Sequence, residues 1–363
     1  MILKEHIKKK LINWNTGVYK MKKQILVTGG IGYIGSHTAV ELIESGFEVI
    51  IVDNLSNSNI NALDGIEEIT GTRPVFEKFD VCNKSQLTSF FEKYTSIEAI
   101  IHFAAFKSVV ESVTNPLKYY YNNLVSTINL LDLMKKKDIP YLVFSSSCTV
   151  YGQPDQLPVS ENAPVKKAMS PYANTKQIME EIISDTLLST PSLKAISLRY
   201  FNPIGAHPSA LIGELPTGIP DNLVPFITQS AIGIRDEIKV FGNDYNTPDG
   251  SAIRDYLHVA DLAKAHVVAL QRLLKKQNKA NYEIFNLGTG KGISVLEAIE
   301  SFERATGEKL NYKIVDRRPG DIEKVWGDTS YANKELGWKA EKNLDETMLS
   351  AWNWEKHLKK QKK

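Results

Sequence analysis

The sequence predicts an α/β protein: a doubly wound parallel sheet followed by a smaller α+β domain. Three features carry that expectation. Short apolar runs alternate with amphipathic stretches through the first half of the chain. A glycine-rich segment stands between the first apolar run and the first helical stretch. After about Asn202, glycine and proline become frequent and the alternation loosens. Strands that alternate with helices are joined by right-handed crossovers, which lay the strands parallel with helices on both faces.

Taken in order, Gln24–Thr28 is an apolar run of buried-strand type, and helical periodicity covers Gly32–Ser45. Further strands are expected at Glu48–Asp53, Pro74–Phe79, Glu98–Phe103, Tyr141–Ser145 and Ala195–Arg199. Helices are expected at Lys84–Lys93, Pro116–Lys137 and Pro171–Leu188. A long loop follows at Pro203–Pro220, then helices at Asp221–Gly233, Asp261–Lys275, Val295–Thr306 and Leu344–Leu358 with short strands between them. The expected division is a cofactor domain over 21–201 and a substrate domain over 202–363, with some later segments able to return to the first. Met1–Lys20 carries the basic cluster Lys8-Lys9-Lys10. It lacks the roughly 7–15-residue apolar stretch and the cleavage site of a signal peptide. It reads as a flexible leader, with Met21 as a candidate functional start. His357–Lys363 reads as a solvated basic tail.

Composition narrows the classes. The chain has 363 residues, 42% hydrophobic and 24% charged, which suits a soluble globular protein of about two domains. The formal charge of +2, from 44 Lys and Arg against 42 Asp and Glu, is too balanced for a nucleic-acid binder. Two cysteines exclude a disulfide framework, and the seven histidines share no metal-ligand spacing. No apolar run reaches the roughly 18 residues that cross a bilayer. These features predict a cytoplasmic enzyme with no metal, no nucleic acid and no membrane among its partners.

The glycine segment is Val27-Thr28-Gly29-Gly30-Ile31-Gly32-Tyr33-Ile34-Gly35-Ser36. Its Gly30-x-Gly32-x-x-Gly35 pattern follows a predicted strand and opens a predicted helix, the context of a Rossmann-type dinucleotide site. Glycines let the backbone approach a pyrophosphate, and the helix N-terminus offers it free N–H groups. Asp53 ends the second strand 18 residues after Gly35. An acid there accepts from the adenosine ribose and repels a 2′-phosphate, which favours NAD over NADP. Asp80-Val81 is placed to flank the adenine. A second glycine-rich stretch, Gly288-Thr289-Gly290-Lys291-Gly292, reads as a turn. A phosphate loop needs glycine where Phe285 stands and Ser or Thr where Gly292 stands.

Ser147, Tyr172 and Lys176 form the second constellation. Tyr172 and Lys176 are four residues apart at a helix start, so they share a face. A free tyrosine titrates near pKa ~10 and is a weak base at neutral pH. An adjacent ammonium, together with the positive ring of NAD, stabilises its phenolate. Ser147 lies just past the fifth strand, at the carboxyl edge where ligands bind.

These segments together resemble the extended short-chain dehydrogenase/reductase family, and within it the branch that epimerises UDP-hexoses. The likeness runs from about Lys22 to Trp354. It passes through Gly29–His37, Asp53-Asn54-Leu55, His102–Ser112, Phe144–Gly152 and Ser170–Lys176, then Arg199–His207, Phe241–Asp244, Arg254–Val259 and Arg317–Asp321. The first twenty residues lie outside it. The resemblance implies NAD-dependent interconversion of UDP-glucose and UDP-galactose in galactose metabolism, by a homodimer paired through about Asn115–Lys137 and Tyr172–Leu188. It implies Tyr172 as acid/base, Lys176 as its tuner and ribose ligand, and Ser147 as the holder of the sugar O4. Gly29, Gly32, Tyr33, Ile34 and Gly35 fall to the pyrophosphate side of NAD. Asp53, Asn54, Leu55, Ser56, Asn57 and Ser58, with Asp80 and Val81, fall to adenosine. Phe103, Ala104, Ala105, Lys107, Asn123 and Phe201 complete the cofactor site. The UDP-sugar falls to Asn202, Asn222, Leu223, Phe241, Arg254, Arg318 and Asp321. In this branch the fourth residue after that aspartate borders the hexose. Here it is Val325, far smaller than the tyrosine of narrow pockets, so UDP-GlcNAc and UDP-GalNAc are expected as further substrates.

Three other readings compete. A nucleotide-sugar 4,6-dehydratase shares the cofactor site, but its relatives carry Asp-Glu after the strand-end hydroxyl, where this chain has Cys148 and Thr149. A decarboxylase needs a cation for its substrate's carboxylate, and the sequence singles out none. A non-catalytic NAD-binding regulator commonly loses the tyrosine or the lysine, and both are present.

Overall fold

A computed structural model describes residues 22–318 and 322–361. The leader Met1–Lys20, the candidate start Met21 and the expected sugar ligand Asp321 lie outside the described residues.

The first half folds as β1 (Gln24–Thr28), α1 (Tyr33–Glu44), β2 (Glu48–Asp53), α2 (Ala62–Thr70), β3 (Val75–Lys78), α3 (Lys84–Lys93) and β4 (Ile97–His102). It continues with α4 (Val109–Thr114), α5 (Pro116–Lys136), β5 (Tyr141–Ser145), α6 (Pro171–Ser189), β6 (Lys194–Tyr200) and β7 (Asn202–Ile204). The second half contains α7 (Leu223–Ala231), β8 (Ile238–Phe241), β9 (Ile253–Arg254), β10 (Tyr256–His258), α8 (Val259–Leu274) and β11 (Tyr282–Leu287). Last come β12 (Ile293–Ser294), α9 (Val295–Thr306), β13 (Tyr312–Val315), α10 (Ser330–Glu335) and α11 (Leu344–Gln361).

Seven parallel strands form one sheet in the order β11-β6-β5-β4-β1-β2-β3. Its central strands are apolar on both faces because helices cover both. The two-residue period of a strand divides them cleanly. Ile25, Val27, Val49 and Ile51 face the layer of α1, α2 and α8. Leu26, Ile50 and Val52 face that of α3, α5 and α6. A separate core under α7, α9 and α11 gathers Ile227, Val240, Phe302, Met348 and Trp352.

The expected elements differ from the observed ones mainly at their ends. Three helices were not expected: α2, α4 and the six-residue α10. In α2, Gly65 interrupts the helical pattern, yet a Cβ there would sit 2.6 Å from the Leu211 carbonyl, so the close packing requires glycine. In α4, Ser108 caps the helix by accepting from the Glu111 N–H at 3.1 Å, a short-range signal in a segment too brief to show periodicity.

β11 comes from the second half and pairs with β6 along its whole length. Arg272 of α8 fastens it, donating from Nε and Nη2 to the two Glu283 carboxylate oxygens at 2.7 and 2.8 Å. Both side chains are buried. Without the Glu283 charge, buried Arg272 keeps only the Glu335 carboxylate as counter-charge, 3.9 Å from Nη2, so Glu283→Gln should destabilise the fold by about 1.5–3 kcal/mol in urea unfolding. An unchanged midpoint would show that this pair does not anchor β11.

Candidate active site

The strand order reverses between β1 and β4, and a ligand crevice opens there beyond the carboxyl ends of the strands. Gly29 leaves β1 with φ +69°, and a Cβ on it would lie 2.8 Å from the Ala104 backbone nitrogen. Gly35, in the first turn of α1, touches the strand end: its Cβ would fall 2.2 Å from the Gly29 carbonyl oxygen. Gly32 is the N-cap and has no side chain to cap the helix. The first N–H groups of α1 therefore face the crevice, and this cradle fits a pyrophosphate.

Asp53 closes the adenosine side. Its Oδ1 accepts from the Leu55 N–H at 2.9 Å and the Ser58 hydroxyl at 2.8 Å. Burial raises its pKa, and these bonds oppose that shift. Asn54 donates to Asp80 at 3.1 Å, which ties the two adenosine loops together. This buried carboxylate, in reach of a ribose, suits NAD.

Tyr172 and Lys176 lie on the first turns of α6, which Ser170 caps by accepting from the Ala173 N–H at 3.1 Å. Both are buried. Burial drives the Tyr172 phenol well above its ordinary range, and the Ser147 hydroxyl beside it works the other way. Burial also pulls the Lys176 ammonium down to about 7, against the attraction of Glu180. Lys176 Nζ donates to the Ser145 carbonyl at 2.7 Å and lies 4.9 Å from the Phe144 ring centroid. In the protein alone, then, desolvation dominates at Tyr172, and lysine charge does not yet offset it. Thr149 donates to Ser147 Oγ from its N–H at 3.2 Å and its hydroxyl at 3.0 Å, which aims the serine.

Ser147, Tyr172 and Lys176 share one cavity with the glycine cradle, the adenosine loops and the sugar side, about 1670 Å³ in volume. A single drug-sized ligand fills about 300–1,000 Å³, so there is room for two. Arg254, Arg318, Asn202, Asn222 and Val325 line its far end. Arg317 instead binds Asp244 at 2.7 Å and stacks on Tyr245, so only the second arginine of that pair faces inward. Asp255, next to Arg254, is buried and accepts from the Thr289 N–H and hydroxyl and the Gly290 N–H at 2.7–3.2 Å. The second glycine loop therefore wraps an internal carboxylate, which bears out its reading as a turn.

Four expected contacts stand behind the cavity wall. Leu55 packs on the core, and Leu223 packs on the α7–α9–α11 core. Phe241 lies 5.2 Å from the Arg318 guanidinium and backs it. Asn123 is fully buried and uses its amide on the Phe106 backbone and on Thr175 Oγ1, 3.0 Å away. The sequence reading missed Glu214. It receives Lys107 Nζ at 2.9 Å and Asn222 Nδ2 at 2.8 Å, bridging an expected cofactor ligand and an expected substrate ligand. No motif surrounds it, so only the fold could reveal it.

The family comparisons fall in line with this geometry. UDP-glucose 4-epimerase of Dictyostelium discoideum is 50% identical over 332 residues, 92% of this chain and 95% of that one. The chain belongs to the UDP-glucose 4-epimerase family. The epimerase structure from Stenotrophomonas maltophila, solved with NAD and formylated UDP-arabinopyranose, superposes with a TM-score of 0.90 at 46% identity, covering 93% of this chain and 99% of that one. The epimerase from Bifidobacterium longum, solved with NAD+ and UDP, gives 0.88 at 46% identity, covering 92% and 98%. A family model described as GDP-mannose 4,6 dehydratase also matches, over residues 26–350. Epimerases and dehydratases share a cofactor half, and the acid/base positions separate them. Cys148 has its thiol pushed up to about 12 by burial, and Thr149 is bonded to Ser147, so neither supplies the extra acid/base pair.

The depressed lysine of this epimerase-family site has a signed consequence for stability. Unfolded lysine titrates near 10.5, and Lys176 in the fold near 7. Between those values the unfolded chain holds a proton that the folded chain lacks, so stability rises with pH across that window. Lys176→Met removes the slope. From pH 7 to 9, wild type should gain about 2–3 kcal/mol on the variant in urea unfolding without ligand. Parallel pH curves would show that Lys176 keeps an ordinary proton affinity.

Proposed function

We propose that this protein is an NAD-dependent isomerase that interconverts UDP-glucose and UDP-galactose. C4 of the hexose is oxidised, the 4-keto sugar rotates, and C4 is reduced on its other face. The observation that carries the reading is the meeting of Ser147, Tyr172 and Lys176 with the glycine cradle in one cavity.

The residues divide the work as follows. Ser147 holds O4 by hydrogen bond. Tyr172, as phenolate, takes the proton from the 4-hydroxyl and later returns it to O4 of the turned keto sugar. Lys176 supplies the positive charge that a buried phenolate needs. Gly29, Gly35 and the N–H groups of α1 would hold the NAD pyrophosphate, with Asp53 on the ribose. NAD, when bound, supplies a positive ring beside the phenol and takes up and returns the C4 hydride. Arg254 and Arg318 suit the UDP diphosphate because guanidinium is planar and permanently charged. Proton and hydride both return to the sugar, so the cycle closes without an external oxidant.

The free thiols of Cys82 and Cys148 fit a cytoplasmic setting. No described helix is long and apolar enough to cross a membrane. Leu117, Tyr121 and Ile128 of α5 and Leu188 of α6 are exposed, and self-association of two copies through these helices would cover them.

Protein purified without added cofactor should convert UDP-galactose to UDP-glucose and release NAD on denaturation. Tyr172→Phe should lower kcat by roughly 10²–10⁴ while keeping NAD. Loaded protein inert on both sugars would refute the reading.

Val325 bears on substrate range. It is buried beside Tyr151, Phe201 and Ile322 at the sugar end. A tyrosine there would occupy the space that a 2-acetamido group needs. Wild type should therefore act on UDP-GlcNAc, and Val325→Tyr should lose that activity while sparing UDP-galactose. Identical UDP-GlcNAc rates in the two proteins would remove Val325 from the pocket's control.

A further inference from the structure

Glu180 lies one helical turn beyond Lys176 and two beyond Tyr172, on the same face of α6. Its carboxylate is buried. Arg199 of β6 donates to it from Nε at 3.0 Å and from Nη2 at 2.5 Å. The Ser146 hydroxyl donates to Oε1 at 2.5 Å. Arg199 also lies 4.8 Å from the Tyr151 ring centroid, and Tyr151 donates to Asn286 at 2.7 Å. Burying two charges is costly, so such a clamp calls for a reason beyond stability.

The reason lies in three consecutive serines. The Ser145 carbonyl takes the Lys176 ammonium, the Ser146 hydroxyl reaches Glu180, and Ser147 faces Tyr172. Adjacent residues of one strand end thus engage three successive turns of one helix. The groups facing this pair can be named from each element. Glu180 of α6 and His102 of β4 act on Lys176 itself, while Tyr200 of β6 and Cys148, beyond β5, act on Tyr172. Burial keeps His102 neutral, with its pKa near 3, and leaves the Tyr200 and Cys148 protons in place at neutral pH. Glu180 is the carboxylate whose charge favours the ammonium.

We propose that Glu180 is a positioning residue for the reaction: clamped by Arg199 and Ser146, it keeps Lys176 an ammonium and thereby keeps Tyr172 a usable base. The inference rests on the roles of Tyr172 and Lys176 proposed above. A phenolate with an ammonium and a phenol with an amine differ only in where one proton sits. Their ratio is independent of pH and follows the relative proton affinities of the two groups. Without the Glu180 charge the neutral pair gains, and that pair has no base for the 4-hydroxyl.

The test uses Glu180→Gln, Glu180→Asp and the double variant Glu180→Gln/Arg199→Met. The double variant leaves no unpaired buried charge, so it guards against misfolding of the single one. In protein labelled with 13C-lysine, the Lys176 Cε resonance is assigned by its loss in Lys176→Met. Its titration midpoint should fall by about one pH unit in Glu180→Gln, fall by less in the double variant, which also loses the Arg199 cation, and recover in Glu180→Asp. In Glu180→Gln kcat should fall about tenfold. KM should stay within about twofold, and the acid limb of the kcat profile should move to lower pH. An unmoved lysine midpoint in Glu180→Gln, with kcat reduced in it and in the double variant alike, would overturn the proposal and leave Glu180 a structural clamp. The resonance reads the coupling without turnover. A wild type inert on UDP-galactose would therefore refute the function, while the resonance alone decides the role of Glu180.

Discussion

Much of the molecule depends on how closely α1 starts against the end of β1. Gly35 can lie on the Gly29 carbonyl only because it has no Cβ, which would otherwise sit 2.2 Å from that oxygen. Gly29 in turn lies against the Ala104 backbone, so the loop after β4 is drawn to the same point. These contacts place a bare helix N-terminus at the position where the strand order reverses. The cofactor site follows from that, because the free N–H groups have nothing else to bind. Asp53 ends β2, and Asp80 stands just beyond β3 at the same sheet edge, so the wall proposed for adenosine comes with the topology. One steric constraint thus reaches from a few glycines to a cavity that can hold two nucleotides.

The second constraint is electrostatic. Glu180, Asp255 and Lys176 are buried, and each is held by specific partners. Glu180 has Arg199 and Ser146, Asp255 has the Gly288–Gly292 loop, and Lys176 has a backbone carbonyl and the Phe144 ring. The group left with the weakest compensation is the one whose proton affinity falls furthest toward neutrality. A lysine poised near 7 responds to any charge brought beside it, and a phenol under the same burial does so in the opposite sense. The site is therefore reactive to its ligands because its own residues leave it incompletely balanced.

Most of this was legible in the sequence, for a physical reason. Central strands buried on both faces read as continuous apolar runs, and helix α6 carries its reactive residues at a single helical spacing. The glycine motif is legible because steric exclusion leaves few residue choices. What stayed hidden depends on long-range contacts. Residues 282–287 join the main sheet from 82 or more positions beyond β6, and nothing in that stretch marks its destination. Helix α2 is interrupted by Gly65 because of a contact with Leu211. Asn123, expected at the cofactor, bonds the Phe106 backbone and Thr175, contacts that no local pattern announces. Glu214 has no local pattern because its role is to join Lys107 and Asn222, which lie far apart in the chain.

The two ends of the cavity are built on different principles, and the proposed chemistry needs that difference. At the end proposed for the diphosphate stand guanidinium groups braced by the protein. Arg318 is backed by Phe241, and Arg254 adjoins the caged Asp255. Around the proposed sugar position the wall includes Ser147, Tyr172, Val325 and Ile322, short or flat groups with few polar atoms. A ligand held strongly at its charged end and lightly at its sugar can turn the sugar without leaving. A second strong grip on the hexose would stabilise one face and slow the return from the other. Catalysis requires that binding energy be placed where it does not resist the step to be made. A charged wall at one end of this cavity and a largely apolar one at the other suit that requirement of the proposed reaction.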